Sequence, residues 1–261
     1  MLEKLINKIY LWKKEELVKE IESKYKEQGN LIVNFTYYAS LSKYLLHKEN
    51  LEEDKYYKSL VNWDFLLPDG IALKLFLKYK YKKIMQENLN WTDFTPFLIN
   101  YLQDKWYKIH LSYYTVYDEN VWKPKSDFDK VRKYIENNFK VAKIEWFLSH
   151  YKDRGNNFDF ERFEQSISDD NYDIKLFLVG IWSPFQEIWT YENKEFFKKN
   201  RVLIMNIGGL FDFWTSFEKR APNWVLKLNW EWLWRLAQNP KKNWTKVKES
   251  FGLFKEIFKK Y

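Results

Sequence analysis

The sequence predicts an α/β fold, a mostly parallel sheet flanked by helices, followed by a C-terminal helical appendage. Short apolar runs alternate with helical patterns up to about residue 208. Several of those runs are apolar on both faces, as parallel strands are when helices cover both sides of the sheet. From Pro222 onward no strand signal remains, only two helical patterns separated by Asn239-Pro240. Repeated β-α units of this kind make the fold Rossmann-like.

In chain order, the strands are expected at LIVNF (31–35), WDFLLP (63–68), KIHLSYY (108–114), VAKIEWF (141–147), IKLFLVGI (174–181) and VLIMNIG (202–208). Helices are expected near 37–47, 70–80, 93–104, 127–138, 159–167 and 185–199. Residues 1–218 then form the catalytic-type domain and 219–261 the appendage. In the appendage's first helical pattern, Lys227, Glu231 and Arg235 share one face and Val225, Leu228, Trp232 and Leu236 the opposite one. In the second, Val247, Phe251, Phe254 and Phe258 form an apolar stripe with Lys248, Lys255 and Lys259 beside it, a pattern suited to a membrane interface.

Composition narrows the chemistry. There is no cysteine, which excludes disulfides, thiolate metal sites and cysteine nucleophiles. The N-terminal MLEKLINKIYLWKKEE has charges every few residues and no apolar signal core, and no window is apolar over 18 residues. A cytoplasmic protein is expected. Net charge is +8, and residues 241–261 hold seven lysines against two glutamates. Such a tail suits an anionic surface, either nucleic acid or a membrane leaflet. Glycine is scarce, 7 residues against a usual share of about 7%, while tryptophan appears 14 times.

Three strand ends carry candidate chemistry. LPDG (67–70) places Asp69 where open α/β sheets bind ligands. In VGIWSPFQE (179–187), Pro184 suits a helix start whose free amides could hold phosphate. In NIGGLFDF (206–213), Gly208 and Gly209 permit close approach of backbone to a ligand. Other signals fail. Asp127-Phe128-Asp129 after Ser126 is explained by helix capping, and His47, His110 and His150 lack metal-ligand spacing. No phosphate-loop, nucleophile-elbow or RNA-binding signature is present, so no metal and no nucleic acid is expected.

Together, LPDG, WTDF (91–94), VGIWSPFQE, NIGGLFDF, KRAPNW (219–224) and EWLWRL (231–236) resemble the WecG/TagA/CpsF glycosyltransferase family over about residues 30–245. The resemblance implies an inverting, metal-independent transfer without a cofactor. An N-acetylmannosamine-type sugar would leave its UDP donor for GlcNAc on undecaprenyl diphosphate. The setting implied is the inner face of the cell membrane, in cell-surface polysaccharide or teichoic acid biosynthesis. It also implies Asp69 as general base and Gln186 at the donor sugar or diphosphate. Gly208, Gly209 and Asp212 would line the nucleotide pocket, with Arg220 and Arg235 on the diphosphates. Asn34, Thr36, Thr92, Asp93 and Lys242 are further substrate-binding candidates. The alternative is an inactive membrane- or nucleic-acid-binding module that uses only the basic tail.

The chain departs from the family pattern at several points. Asn34-Phe35-Thr36 reverses the family's Thr-x-Asn order. Lys241, Lys242 and Thr245 stand where arginines are usual, and lysine cannot form a bidentate fork on diphosphate. Trp91, Trp146 and Trp182 occupy positions that are glycine in the family, whereas Trp189, Trp224 and Trp232 match family tryptophans. Scarce glycine with surplus tryptophan points to a gene whose UGA codons mean glycine and have been translated as tryptophan; the alternative is genuine tryptophan with the donor loop rebuilt around it.

Overall fold

A computed structural model describes residues 1–117, 127–153, 155–169, 171–215, 219–228, 230–238 and 240–259. In chain order its elements are α1 (Leu2–Lys8), α2 (Lys14–Gln28), β1 (Leu31–Tyr37), α3 (Tyr38–Tyr44), α4 (Lys55–Val61), β2 (Phe65–Asp69), α5 (Ile71–Tyr81), α6 (Trp91–Asp104) and β3 (Ile109–Tyr117). Then come α7 (Asp127–Asn138), β4 (Lys143–His150), α8 (Phe160–Ile167), β5 (Ile174–Gly180), α9 (Phe185–Glu192), α10 (Lys194–Lys199), β6 (Leu203–Asn206) and α11 (Leu210–Trp214). The chain closes with α12 (Asn223–Lys227), α13 (Glu231–Gln238) and α14 (Pro240–Phe258).

The six strands form one sheet in the order β2-β1-β6-β5-β3-β4, and every pairing is parallel. Alternate residues feed two cores. Leu31, Val33 and Phe35 of β1 and Leu176 and Leu178 of β5 point to one face, packed with Leu17 of α2, Leu98 of α6, Val131 of α7 and Phe211 of α11. Ile32, Phe177, Val179 and Ile204 point to the other, packed with Phe163 of α8, Trp189 of α9 and Phe197 of α10. Each such side chain contributes about 1.5–3 kcal/mol when fully buried. A third cluster wraps the β2 edge, where Leu66 meets α1, α3, α4, α5 and Leu253 of α14.

Local chemistry sets the element ends. Gly29 closes α2 in the left-handed region (φ 72°), its N–H on Tyr25 O. Asn90 caps α6 by accepting from Asp93 N at 2.9 Å, and Asp54 and Asp159 cap α4 and α8 in the same way.

The strands fall where the apolar runs lie. The helical stretch expected at 185–199 is two helices, α9 and α10, because the Asn193 side chain turns back onto Trp189 O at 2.8 Å. The first appendage pattern is also two helices, α12 and α13, since Trp230 N reaches back to Val225 O at 3.0 Å instead of continuing the helix. Leu228 and Trp232 of its expected apolar face are exposed, while Val225 is buried. The α14 stripe is divided too. Val247 and Leu253 are buried, whereas Trp244, Phe251 and Phe258 are 59%, 56% and 77% exposed. Lys80 Nζ donates to the carbonyls of Glu256 and Lys259 at 2.9 Å, fastening the end of α14 to α5. Ser126 and the side chains of Lys227, Lys242 and Phe254 lie outside the described residues.

Candidate active site

The candidate residues gather at the carboxyl ends of β1, β2, β5 and β6, the ligand-binding edge of an open parallel sheet. β2 ends at Asp69, in register with Tyr37 at the end of β1. The next residue, Gly70, has φ 92°, where a Cβ would strain the backbone, so the turn requires glycine. Its N–H donates to Asn88 Oδ1 at 2.7 Å, and Leu89 N donates to Pro68 O at 3.0 Å. Asp69 is therefore mounted on a turn stitched from both sides. Burial raises the Tyr37 hydroxyl pKa, with the Glu187 carboxyl next in weight and Tyr44, Glu249 and Asp69 adding to it. These groups share one acidic neighbourhood.

Beside them runs a buried polar chain. Asn206 Nδ2, at the end of β6, donates to Asn34 Oδ1 of β1 at 2.6 Å and to Thr190 Oγ1 of α9 at 2.9 Å. Thr190 Oγ1 donates in turn to Gln186 O at 2.7 Å. The Gln186 side chain accepts from Gly208 N at 3.1 Å and donates from Nε2 to Glu187 Oε1 at 2.9 Å. Gly208 is left-handed (φ 55°), and a Cβ on Gly180 would meet Gly208 O at 2.9 Å, so the end of β5 reaches the Gly208 backbone only because Gly180 is bare. Thr36 lies on the same face of β1 as Asn34, its hydroxyl buried and without a partner among the described residues.

A second group forms where α6 meets the C-terminal helices. Arg220 bridges Asp93 and Glu231, and Arg235 Nη2 donates to Glu231 Oε1 at 2.6 Å. The Arg235 guanidinium also stands over the rings of Phe213 and Trp91, 5.0 and 5.8 Å from their centroids. The Trp91 ring approaches Gly209, which links this group to the glycine pair and to Asp212 beside it. Thr92 Oγ1 is buried without a partner among the described residues. Asn34, Gln186 and Gly208 thus join one network, and Asp93, Arg220 and Arg235 another.

A sequence model of the glycosyl transferase WecG/TagA/CpsF family matches residues 5–260. The chain belongs to this family. It is similar to an N-acetylglucosaminyldiphosphoundecaprenol N-acetyl-beta-D-mannosaminyltransferase of Bacillus subtilis, 26% identical over 191 residues, 73% of this chain and 67% of the relative. A protein of the same description from Bacillus spizizenii is 24% identical over 196 residues, 74% and 67% of the two chains.

The geometry brings in residues that sequence reasoning left without roles. Asn206 is a polar residue ending an apolar strand, and that placement was its signal. Glu187 and Asn88 carry no such signal, because a carboxylate or an amide near a helix start reads as capping, and Thr190 is one hydroxyl inside α9. Glu187 is fully buried in this glycosyl transferase. Burial raises its pKa from an ordinary 4.5 to about 7, against opposing hydrogen bonds from Gln186, its own backbone and Ser183. Between those values the folded chain holds a proton that the unfolded chain has lost, so stability falls as pH rises from about 4.5 to about 7. The contribution is about 3 kcal/mol. Glu187→Gln should remove that slope, as urea unfolding measured between pH 5 and 7.5 would reveal.

The tryptophans fall into different classes. Trp182 adopts φ 69°, the left-handed region that glycine enters freely. Trp106, unremarked in the sequence, does the same with φ 65° just past α6. There Tyr107 N bonds to Leu102 O and Trp106 N to Gln103 O, the helix-ending motif that favours glycine, while the indole is 92% exposed. Trp146, by contrast, fills the core between Tyr113 and Phe128, and Trp189 donates from Nε1 to Gly155 O at 3.0 Å. Trp91 opens α6 with its ring against Phe213. Trp106→Gly should therefore raise the unfolding free energy by about 1 kcal/mol, measurable by urea titration. The gene should read UGA at codons 106 and 182 and UGG at codon 189. UGG at both 106 and 182 would end the recoding idea.

Proposed function

We propose that this family member is an inverting, metal-independent glycosyltransferase. It moves an N-acetylmannosamine-type sugar from a UDP donor to GlcNAc on undecaprenyl diphosphate. The observation that supports the reading is that Asp69 and the Gln186–Gly208 link lie at the carboxyl ends of the strands, with the Arg220–Arg235 group joined to the glycine pair through Trp91. The names of the two relatives supply the donor sugar and the acceptor. In the step itself, the acceptor hydroxyl oxygen bonds to the anomeric carbon as the bond from that carbon to the diphosphate oxygen breaks. The hydroxyl proton goes to Asp69, the electron pair leaves with UDP, and configuration inverts. Charge developing on the diphosphate is met by Arg220 and Arg235. Those arginines now rest on Asp93 and Glu231, so the donor competes with carboxylates for them.

The appendage, residues 219–261, holds the enzyme at the membrane surface in this reading. Among the described residues no helix is long and apolar enough to cross a membrane. Support comes instead from the exposed Trp244, Phe251 and Phe258, spaced by seven along α14, with exposed Lys248, Lys255 and Lys259 nearby. The test of the reaction is direct. Purified protein is incubated with UDP-N-acetylmannosamine and a short-chain lipid-diphosphate-GlcNAc analogue, and UDP release is followed. UDP release that depends on the acceptor supports the proposal. No release under any acceptor condition sinks it and favours the inactive-module alternative.

A further inference from the structure

We propose that Glu187 is a positioning residue of the donor site. Its carboxyl fixes the Gln186 side-chain amide so that the amide oxygen, and not the amide nitrogen, faces the Gly208 N–H. The two ends of a glutamine amide are nearly the same size, so hydrogen-bond partners alone decide which way it lies. Gln186 Nε2 donates to Glu187 Oε1 at 2.9 Å while Gln186 Oε1 accepts from Gly208 N at 3.1 Å. Rotating the amide by half a turn would set NH₂ against N–H at Gly208 and carbonyl against carboxyl oxygen at Glu187. An ionised carboxyl at position 187, which can only accept, forbids that arrangement. The α9 backbone is held independently, through Thr190 and Asn206, so Glu187 acts on the amide and not on the helix.

The setting of the carboxyl makes this role sensitive to protonation. Tyr56 of α4 and Tyr37 of β1 both feel its charge, and Asp69 of β2, Tyr44 of α3 and Glu249 of α14 act on Tyr37 around it. Ser183 lies close enough to favour the ionised form, and its hydroxyl donates to Tyr56 Oη at 3.1 Å. Glu187 Oε2 is buried with no hydrogen-bond partner among the described residues. A proton on this carboxyl keeps the edge of the site free of one more negative charge, while its loss sets a buried carboxylate beside the turn that receives the diphosphate. The functional half of the inference rests on reading Gln186 and Gly208 as parts of the donor site.

The experiment uses the ligand-free full chain first. The Gly208 backbone amide and the Gln186 side-chain NH₂ are followed by NMR between pH 5.5 and 8.5, with UDP affinity measured by calorimetry alongside. In the parent, both resonances should titrate with one shared midpoint near pH 7. In Glu187→Gln, which keeps an acceptor oxygen but cannot ionise, that titration should vanish. Glu187→Leu, which keeps no acceptor, should bind UDP at least about tenfold more weakly, with Glu187→Gln lying nearer the parent. A Gly208 resonance indifferent to pH in the parent, or titrating equally in Glu187→Gln, overturns the proposal. So does a folded Glu187→Leu that binds UDP as the parent does. If Glu187→Leu does not fold, the parent and Glu187→Gln titrations decide. If the titrations behave as expected but the parent binds no UDP, the donor-site reading fails and the Glu187–Gln186–Gly208 arrangement stands.

Discussion

Asp69→Asn should lower turnover by at least about a hundredfold, the low end of what a positioned general base supplies, while leaving the fold and UDP binding in place. The change is nearly isosteric, so the turn that carries residue 69 keeps its geometry. Gly70 still donates to Asn88 and Leu89 still donates to Pro68. What disappears is a group able to take the acceptor's proton. The defect should appear in kcat more than in KM, because proton removal occurs in the transition state and not in the bound ground state. Steady-state UDP release and calorimetric UDP binding, run on parent and variant together, check both halves. Turnover within a few-fold of the parent would remove Asp69 from the role of base.

Replacing Trp244, Phe251 and Phe258 together by serine should weaken binding to anionic vesicles by at least about tenfold. Each aromatic ring placed in the interface buries apolar area at about 25 cal/mol per Å². Nearby lysines add about 1 kcal/mol apiece at low salt. The fold should survive, because Val247 and Leu253 hold α14 down and neither is altered. This design is cleaner than deleting residues 219–261, since deletion would uncover the cluster at the β2 edge that Leu253 helps to seal. Flotation with vesicles at low and high salt separates the contributions. The aromatic part should persist in salt and the lysine part should fade. Unchanged flotation of the triple variant would show that these exposed rings serve some other purpose.

How much of this was legible in the sequence depends on what each position demands. The Pro-Asp-Gly turn and the glycine pair could be found because a left-handed backbone and a close strand approach accept few residues. The sheet could be found because β5 and β6 are apolar on both faces. The expected helices begin only after β1, although Leu17, Val18, Ile21 and Tyr25 recur at helical spacing in α2. The buried chain from Asn34 to Glu187 was legible only in pieces, since its members come from β1, α9, β6 and the glycine turn and only the fold brings them together. The pairing of Arg220 with Asp93 likewise spans 127 residues and leaves no local trace. Trp182 stood out because it occupies a position where glycine is expected, but its left-handed backbone is a property of the folded loop.

The pairing of β1 with β6 inside the sheet has a consequence for how the molecule is made. Leu31 pairs with Leu203, and the Asn30 side chain reaches Val202 O at 2.8 Å. On the ribosome β1 thus waits for a strand synthesised much later, after the other four. Contacts of such sequence separation are slow to form, and a sheet awaiting its central strand exposes two unpaired edges. Until β6 emerges, β1 can pair only with β2, and β3, β4 and β5 form a separate sheet fragment. The insertion of β6 joins the halves and at the same moment carries Asn206 and the glycine pair to Asn34 and Gln186. A nascent chain of this protein therefore acquires its candidate active site in the same event that completes its sheet.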